Sequence, residues 1–384
     1  MCRILSSNFR ELVPRHFLTA SFVRFSQYYP DFKEESSFET VIQTVRGMGN
    51  PILAIYAQMF LSRGFTSLDD ISGIKTKNLF EEMLNVLNRL SKEKPQTYEK
   101  ITFEDYLLLF KPAMNWMILL LVRTNNDQVV INIIKNLETM VPETHNLLLE
   151  VALDLMSDNL IVTHTKFLVD TCTEIKTPGI LASLGRALVR TSSQFPARDE
   201  IINTCWSLVT SLMHLDEFLL CAGVWIEFVA VQFSNKEVNK LLGLLIKKVQ
   251  ASKDQEYDTN TDLKDILLRI VRRRSLQLMR VLSLPNFLSV FSMITKDEVK
   301  TSLAKEMLEE LAKEDIAPSC DPIVHDLLTG VCDVLADSVT ALTSLDERRQ
   351  VSSLISTALA RCTKLPDTQA QLSLLTEMRS INNI

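Results

Sequence analysis

The sequence predicts an all-α fold, a HEAT-like α-solenoid of antiparallel helix pairs, and three observations indicate this class. Apolar residues recur at helical spacing in stretches of roughly 12 to 20 residues, separated by short polar breaks. Nine glycines in 384 residues are about a third of the usual ~7%, which disfavours α/β folds, phosphate-binding glycine loops and tight hairpins. A single core stops growing beyond ~250–300 residues, which favours an array over the chief alternative, a compact all-α domain.

The first helix is predicted to begin around Pro14. Proline has a fixed φ and no amide proton, so it suits the first turn of a helix and interrupts a helix that reaches it from upstream. Downstream residues at i, i+4, i+7 and i+11 form an apolar helical stripe. These residues are Leu18, Phe22, Phe25 and Tyr29.

A helical hairpin is predicted next. Its first helix carries an apolar stripe, and its second has Asn50 as N-cap, Pro51 at the first helical position and Gly64 at its end. The stripe consists of Phe38, Val41, Ile42, Val45 and Met48.

Helical periodicity continues along the rest of the chain. The predicted helices span about 77–92, 103–122, 127–140, 146–157, 160–174, 178–191, 197–213, 216–233, 235–250, 262–282, 285–294, 296–313, 321–342, 346–362 and 367–380. No helix pair of this kind buries its apolar face alone, so neighbouring pairs stack and present long surfaces to partners.

The domain prediction is one continuous α-solenoid over residues 1–384 without a domain boundary. Terminal repeats of a solenoid are expected to have a polar outer face, yet the last predicted helix is apolar. We therefore expect the N-terminal to middle part of a longer array. Its apolar residues are Leu372, Leu374, Leu375 and Met378.

Composition disfavours several functional classes. A net charge of −6 disfavours sequence-independent nucleic-acid binding, which needs an excess of Lys and Arg. No apolar run approaches the ~18–20 residues of a membrane span, and the N-terminus lacks the apolar core of a signal peptide. The seven cysteines are odd in number and lack metal-site spacing, which predicts reduced, buried thiols in a cytoplasmic protein.

No catalytic constellation is apparent, so the sequence predicts a binding scaffold and not an enzyme, with no metal and no cofactor. No two histidines are four residues apart, no serine has a nucleophile-elbow context, and adjacent carboxylates diverge on a helix. Trp116, Trp206 and Trp225 lie in apolar runs and are interpreted as core anchors.

The strongest basic cluster is Arg272-Arg273-Arg274, in a helical pattern with Lys264, Arg269 and Arg280. We interpret it as an exposed helix face. Contact with an acidic partner or with lipid headgroups stays open as the alternative.

Two motifs near the N-terminus carry a family resemblance. They read Val13-Pro14-Arg15-His16-Phe17-Leu18 and Val45-Arg46-Gly47-Met48-Gly49-Asn50-Pro51-Ile52, the second followed by an aromatic-rich helix to Arg63. In the retromer scaffold the first motif reads Pro-Arg-Leu-Tyr-Leu, and the second contains an Arg-Gly pair followed shortly by proline.

Later stretches narrow the match. They are Lys111-Pro112-Ala113-Met114-Asn115-Trp116, Cys221-Ala222-Gly223-Val224-Trp225-Ile226-Glu227, Phe233-Ser234-Asn235-Lys236-Glu237-Val238-Asn239, Asp321-Pro322-Ile323-Val324 and Asp337-Ser338-Val339-Thr340-Ala341-Leu342. The chain resembles the vacuolar protein sorting 35-like family, the large scaffold subunit of the retromer-related retriever complex.

The resemblance implies a scaffold, peripheral on endosomes, that joins an arrestin-fold subunit and a phosphoesterase-fold subunit. This trimer works with the coiled-coil and COMM-domain proteins of the commander assembly to recycle cargo to the plasma membrane. By position, the arrestin-fold subunit is expected to contact Pro14, Arg15, Phe17 and Leu18. A weaker extension of this site comprises Arg46, Gly47 and Pro51.

The chain departs from the family pattern in three respects. His16 replaces a large apolar or aromatic residue, so no packing role is predicted for it. Family members have a long segment before this start and continue beyond this end with the half that holds the phosphoesterase-fold subunit. We therefore expect that subunit's site to be missing, either in a truncated chain or in a natural short form. An unrelated HEAT-repeat adaptor or transport receptor is the alternative.

Overall fold

A computed structural model describes most of the chain. The described residues are 11–25, 41–65 without 43 and 46, 80–86, 102–123, 127–135, 142–191, 194–252, 257–274, 278–313, 321–339, 343–362 and positions 368, 369, 371, 372 and 376. No strand occurs among them, and the all-α prediction is confirmed.

The helices are numbered in chain order. They are α1 (Leu12–Phe25), α2 (Pro51–Phe65), α3 (Phe103–Arg123), α4 (Asp127–Lys135), α5 (Pro142–Leu155), α6 (Asp158–Ile175), α7 (Pro178–Arg190), α8 (Arg198–Ser211), α9 (Leu215–Gln232), α10 (Asn235–Ala251), α11 (Asn260–Arg273), α12 (Leu278–Leu282), α13 (Pro285–Met293), α14 (Asp297–Lys313), α15 (Pro322–Asp337) and α16 (Leu345–Cys362). Residues 80–86 are also helical, as are residues on either side of position 43.

Most predicted boundaries agree with these bounds within a few residues, but one does not. The predicted helix 262–282 is wrong, because α11 ends at Arg273 and a separate short helix, α12, begins at Leu278. The predicted end at Gly64 is within one residue of the observed end of α2 at Phe65. The predicted last helix, 367–380, lies mostly outside the described residues.

The chain divides into two compact units, Met1–Thr165 and Lys166–Ile384. The boundary falls within α6, next to His164, whose φ of −110° and ψ of 17° depart from helical geometry. In the first unit α1 packs on α2, α2 on α3, and α3 on both α4 and α5. The prediction of one uninterrupted array stays a prediction.

The second unit has the helix order of an α-solenoid. One row is formed by α7, α9, α11, α14 and α16, each packed on the next. A second row contains α10, α13 and α15, also in contact along the row, while α8 packs on α9. Helices adjacent in the chain therefore pair across the rows, and each pair covers the apolar face of its neighbours.

Helix α9 forms the core of the second unit. It contacts α7, α8, α10 and α11 and is apolar on nearly every side, as expected of a helix enclosed by others. Trp225, Phe218 and Phe228 are fully buried on it. The interpretation of Trp206 and Trp225 as core anchors is confirmed, since they are 8% and 0% exposed, and Trp116 is half-buried.

The cysteine prediction is confirmed at the positions that the structure describes. Cys172, Cys205, Cys221 and Cys332 are free and buried. Burial raises the pKa of the Cys205 and Cys221 thiols to about 12, so both stay protonated and unreactive at neutral pH.

Candidate partner-binding surface

Pro14 and Arg15 lie in the opening turns of α1. Pro14 is the third residue of the helix and is exposed, so its missing amide proton leaves no intrahelical bond unmade. The backbone N–H of Arg15 donates to the carbonyl oxygen of Glu11 at 3.3 Å. The Arg15 side chain is half-exposed, and no described residue forms an ion pair or hydrogen bond with its guanidinium.

His16 attaches this turn to the rest of the first unit. It is 0% exposed; its Nδ1 lies 3.0 Å from Thr44 Oγ1, and its Nε2 lies 3.4 Å from the carbonyl oxygen of Ala57. The Thr44 hydroxyl donates to the carbonyl oxygen of Val41 at 2.6 Å. The imidazole therefore joins α1 to both following helical segments.

The environment of His16 opposes its charged form. Burial lowers its pKa below the usual 6.5, against the smaller raising effect of the backbone hydrogen bonds with Ala57 and Val41. Neutral imidazole has a single N–H, so it can donate to one of its two neighbours at a time. The prediction that His16 has no packing role is wrong, because its side chain is fully buried and contacts Ala57 of α2.

Phe17 and Leu18 are half-buried. The Phe17 ring packs edge-on against Phe60 of α2, with 5.1 Å between centroids and an interplanar angle of 70°. The Phe17 side chain therefore holds α1 against α2, and both side chains keep part of their surface exposed to solvent.

The start of α2 has the predicted capping. Asn50 Oδ1 accepts hydrogen bonds from the backbone N–H groups of Ile52 at 3.0 Å and Leu53 at 3.1 Å, and Pro51 is the first helical residue. Gly47 is exposed in the preceding turn. The predicted site residue Arg46 lies outside the described residues.

The structure therefore brings α1 and α2 together. The contacts of His16 with Ala57 and of Phe17 with Phe60 place the beginning of α1 beside the middle of α2. Each of the two helices also carries an exposed leucine, Leu12 on α1 at 37% and Leu53 on α2 at 43% exposure. Sequence reasoning missed His16 because its apolar stripe ran through Leu18, whereas the buried positions among the described side chains of α1 are His16 and Ala20, four residues apart.

The basic cluster of the second unit is engaged internally. Arg272 pairs with Glu306 of α14 at 2.7 Å, and Arg273 pairs with Glu227 of α9 at 2.7 Å. Arg274 donates to the carbonyl oxygen of Phe233. The interpretation as an exposed face is correct for the solvent access of Arg272 and Arg273, 60% and 41%, but the charges connect helices within the unit.

Neither a candidate metal site nor a candidate membrane span occurs in the described part of the chain. No group of three or more His, Cys, Asp or Glu side chains there is arranged to hold a metal ion. No helix in that part is long and apolar enough to cross a membrane. Helices that pack in pairs, as they do through the second unit, place the chain in the class of helical-repeat proteins.

Comparisons with known proteins identify the family. A family model described as the VPS35L C-terminal domain matches residues 124–383, and one described as VPS35L matches residues 1–109. The chain belongs to the VPS35L family.

Similar curated relatives are named "VPS35 endosomal protein-sorting factor-like". The Danio rerio protein is 26% identical over 381 residues, with 97% of this chain and 39% of the relative covered. The Homo sapiens protein is 24% identical over 383 residues, with 98% and 39% covered. The Drosophila melanogaster relative, "VPS35 endosomal protein sorting factor-like", is 27% identical over 391 residues, with 97% and 40% covered. The chain thus spans about two fifths of the length of these relatives.

Proposed function

We propose that the chain is a non-enzymatic scaffold subunit of a retriever-type, retromer-like complex for endosome-to-plasma-membrane recycling. Membership of the VPS35L family supports this proposal, since its relatives carry the name of endosomal protein-sorting factors. The same membership disfavours an unrelated HEAT-repeat adaptor. In this function the protein associates peripherally with endosomes from the cytoplasm.

The proposed direct partner is an arrestin-fold subunit that binds the edge formed by α1 and the start of α2. Pro14 and Arg15 make the contact in this proposal, with Gly47, Pro51 and Arg46 along its side. Phe17 and Leu18 contribute their exposed parts and keep α1 in place. Coiled-coil and COMM-domain proteins of the commander assembly are proposed as further partners.

The observation that carries the partner proposal is the half-exposed Arg15 guanidinium without an acceptor among the described residues. Arginine presents a planar fork of donors suited to bidentate contacts with carboxylates or carbonyl groups. An interfacial arginine of this kind commonly contributes ~2 kcal/mol or more to binding.

The test is co-expression with the organism's retriever-type arrestin-fold subunit, followed by affinity pull-down. Arg15→Glu is expected to lose capture while its circular dichroism spectrum stays that of the wild type. Arg280→Glu is the matched control, because it reverses the charge of an exposed arginine on α12. Failure of the wild type to capture the subunit, or equal capture by Arg15→Glu, would contradict the partner proposal.

A further inference from the structure

The second unit has a groove between α8 and α10, beside the end of α9. Helices α8 and α10 both pack on α9 but not closely on each other, whereas α10 packs firmly on α13. The gap holds a cavity of about 340 Å³. At its far end the Lys248 ammonium donates to the carbonyl oxygen of Thr210 at 3.2 Å, so α8 and α10 run in the same direction along its sides.

Apolar side chains line the groove together with the polar Asn203 and Ser207 of α8. Trp206 of α8, Val229 and Phe233 at the end of α9, and Leu241 and Leu244 of α10 line it. Leu244 is 36% exposed although it faces the cavity. The cavity is near the lower limit of ligand pockets, about 300 Å³, so it suits one or two side chains rather than a cofactor.

Two acidic side chains lie at one end of this groove. Asp199, in the first turn of α8, and Glu237, in the first turn of α10, both line it. Neither carboxylate has an ion-pair partner among the described residues, although Glu237 accepts a hydrogen bond from the Ser234 hydroxyl. Lys240 is the one ammonium group in the lining, and the Arg198 guanidinium lies 5.0 Å from the centroid of the Phe233 ring beside it. Asp199 and Glu237 are the two lining carboxylates that a docked basic residue would meet.

The indole N–H of Trp206 is a buried hydrogen-bond donor. The Trp206 side chain is 8% exposed, and its indole N–H has no acceptor among the described residues. Buried polar groups are nearly always paired. Because that nitrogen is itself shielded from solvent, a docked segment meets the exposed part of the indole ring and not its N–H.

We propose that the α8–α10 groove docks a peptide segment of a partner protein. The segment inserts one large apolar side chain between Trp206 and Leu244 and sets an adjacent lysine or arginine against Asp199 and Glu237. The apolar anchor supplies affinity through desolvation, and the basic residue fixes orientation and speeds association. This site lies on the second unit and does not depend on the function proposed for the α1–α2 edge.

The experiment is selection of a phage-displayed library of random linear peptides on the full chain, with affinities then measured by fluorescence anisotropy. Enriched peptides are expected to share a large apolar residue next to Lys or Arg. Their binding is expected to weaken about fivefold in Asp199→Lys, because an exposed attraction becomes a repulsion. Binding to the wild type is expected to weaken as salt is added, because salt screens the attraction.

Matched variants distinguish binding in the groove from nonspecific electrostatic or hydrophobic binding elsewhere on the surface. Glu200→Lys makes the same charge change in the same helical turn, but Glu200 does not line the cavity. Leu244→Ser removes an apolar wall, whereas Leu220→Ser removes a leucine of 51% exposure outside the lining. Binding is expected to fall in Asp199→Lys and Leu244→Ser and to persist in the two controls.

Three outcomes would overturn the proposal. They are no enrichment of any peptide, an enriched consensus without the apolar and basic pair, and equal losses in the groove variants and their controls. Arrestin-fold capture by the α1–α2 edge is a separate readout, so either proposal can fail alone.

Discussion

The Arg273 guanidinium donates to the Glu227 carboxylate at 2.7 Å, linking α11 to the buried helix α9. Arg269 donates to the other carboxylate oxygen at 2.8 Å. The exposure of the partners is unequal, since the Glu227 side chain is 9% exposed while Arg269 and Arg273 are 39% and 41% exposed. If Glu227 is removed, both guanidinium groups can still be solvated by water. If the two arginines are removed, the Glu227 carboxylate stays shielded from water.

Removing the two arginines is therefore expected to destabilise the protein more than removing the glutamate. The double variant Arg269→Met/Arg273→Met leaves a buried carboxylate unpaired and is expected to cost about 3–5 kcal/mol. Glu227→Met leaves two solvated cations and is expected to cost ~1 kcal/mol or less. Urea unfolding followed by circular dichroism measures the difference, and equal losses in both variants would contradict the burial argument.

Glycine replacement offers a matched test of close helix packing. A Cβ added at Gly185 of α7 would lie 2.7 Å from Val224 Cγ1 and 3.4 Å from Trp225 Cε2, while one added at Gly330 of α15 meets nothing within 4 Å. Gly330→Ala is expected to stabilise by about 0.5–1 kcal/mol through helix propensity. Gly185→Ala is expected to destabilise by about 1–2 kcal/mol, because Val224 is stiff and enclosed.

The two alanine variants share one chemistry, so thermal melts of both, run side by side, isolate packing from propensity. Similar shifts in the melting temperature of both would show that α7 can move away from α9 at little cost.

The sequence predicts this fold well where the signal is local. The N-cap at Asn50 with Pro51 after it marks the start of α2 in the sequence, because the residues that satisfy the first N–H groups are neighbours in the chain. Helical periodicity likewise predicts α8, α10 and α14 to within a few residues.

Contacts between distant segments were not predictable in the same way. Periodicity tells which side chains share one face of a helix but not which helix covers that face. Arg273 and Glu227 are 46 residues apart, and His16 and Ala57 are 41 residues apart. For this reason the sequence alone led to the interpretation of Arg272-Arg273-Arg274 as an exposed helix face. It likewise led to the interpretation of His16 as a departure from the family motif without a packing role.

The Asn260 side chain connects the start of α11 to the residues just before α14 through hydrogen bonds. Its Oδ1 accepts from the backbone N–H groups of Thr295 at 2.7 Å and Lys296 at 3.2 Å, just before α14, and its Nδ2 donates to Asp258 at 2.6 Å. Asn260→Asp replaces that donor with a carboxylate next to Asp258 and is expected to destabilise by about 1–3 kcal/mol.

The control for this connection is Asn203→Asp, which makes the same substitution at an exposed position of α8. Urea midpoints at neutral pH compare the two. Asn260→Asp as stable as Asn203→Asp would mean that the side chain does not hold the start of α14.

Stability is expected to fall on mild acidification because His16 is enclosed. Its pKa is lowered from 6.5 in the folded chain, chiefly by burial, so the unfolded chain binds more protons between the two values. The contribution of neutral His16 is therefore complete above pH 6.5 and is lost progressively as the pH falls toward the lowered folded value. Chemical unfolding across this window measures the slope.

His16→Leu is expected to flatten this pH dependence while changing stability at neutral pH by about 1 kcal/mol or less. The cost is small because the Thr44 hydroxyl keeps its bond to Val41, so a leucine leaves few polar groups unpaired. His214 is exposed before α9, and His214→Gln is expected to keep the wild-type profile. A wild-type profile in His16→Leu as well would show that other groups cause the acid sensitivity and that the α1–α2 contact does not depend on an uncharged imidazole.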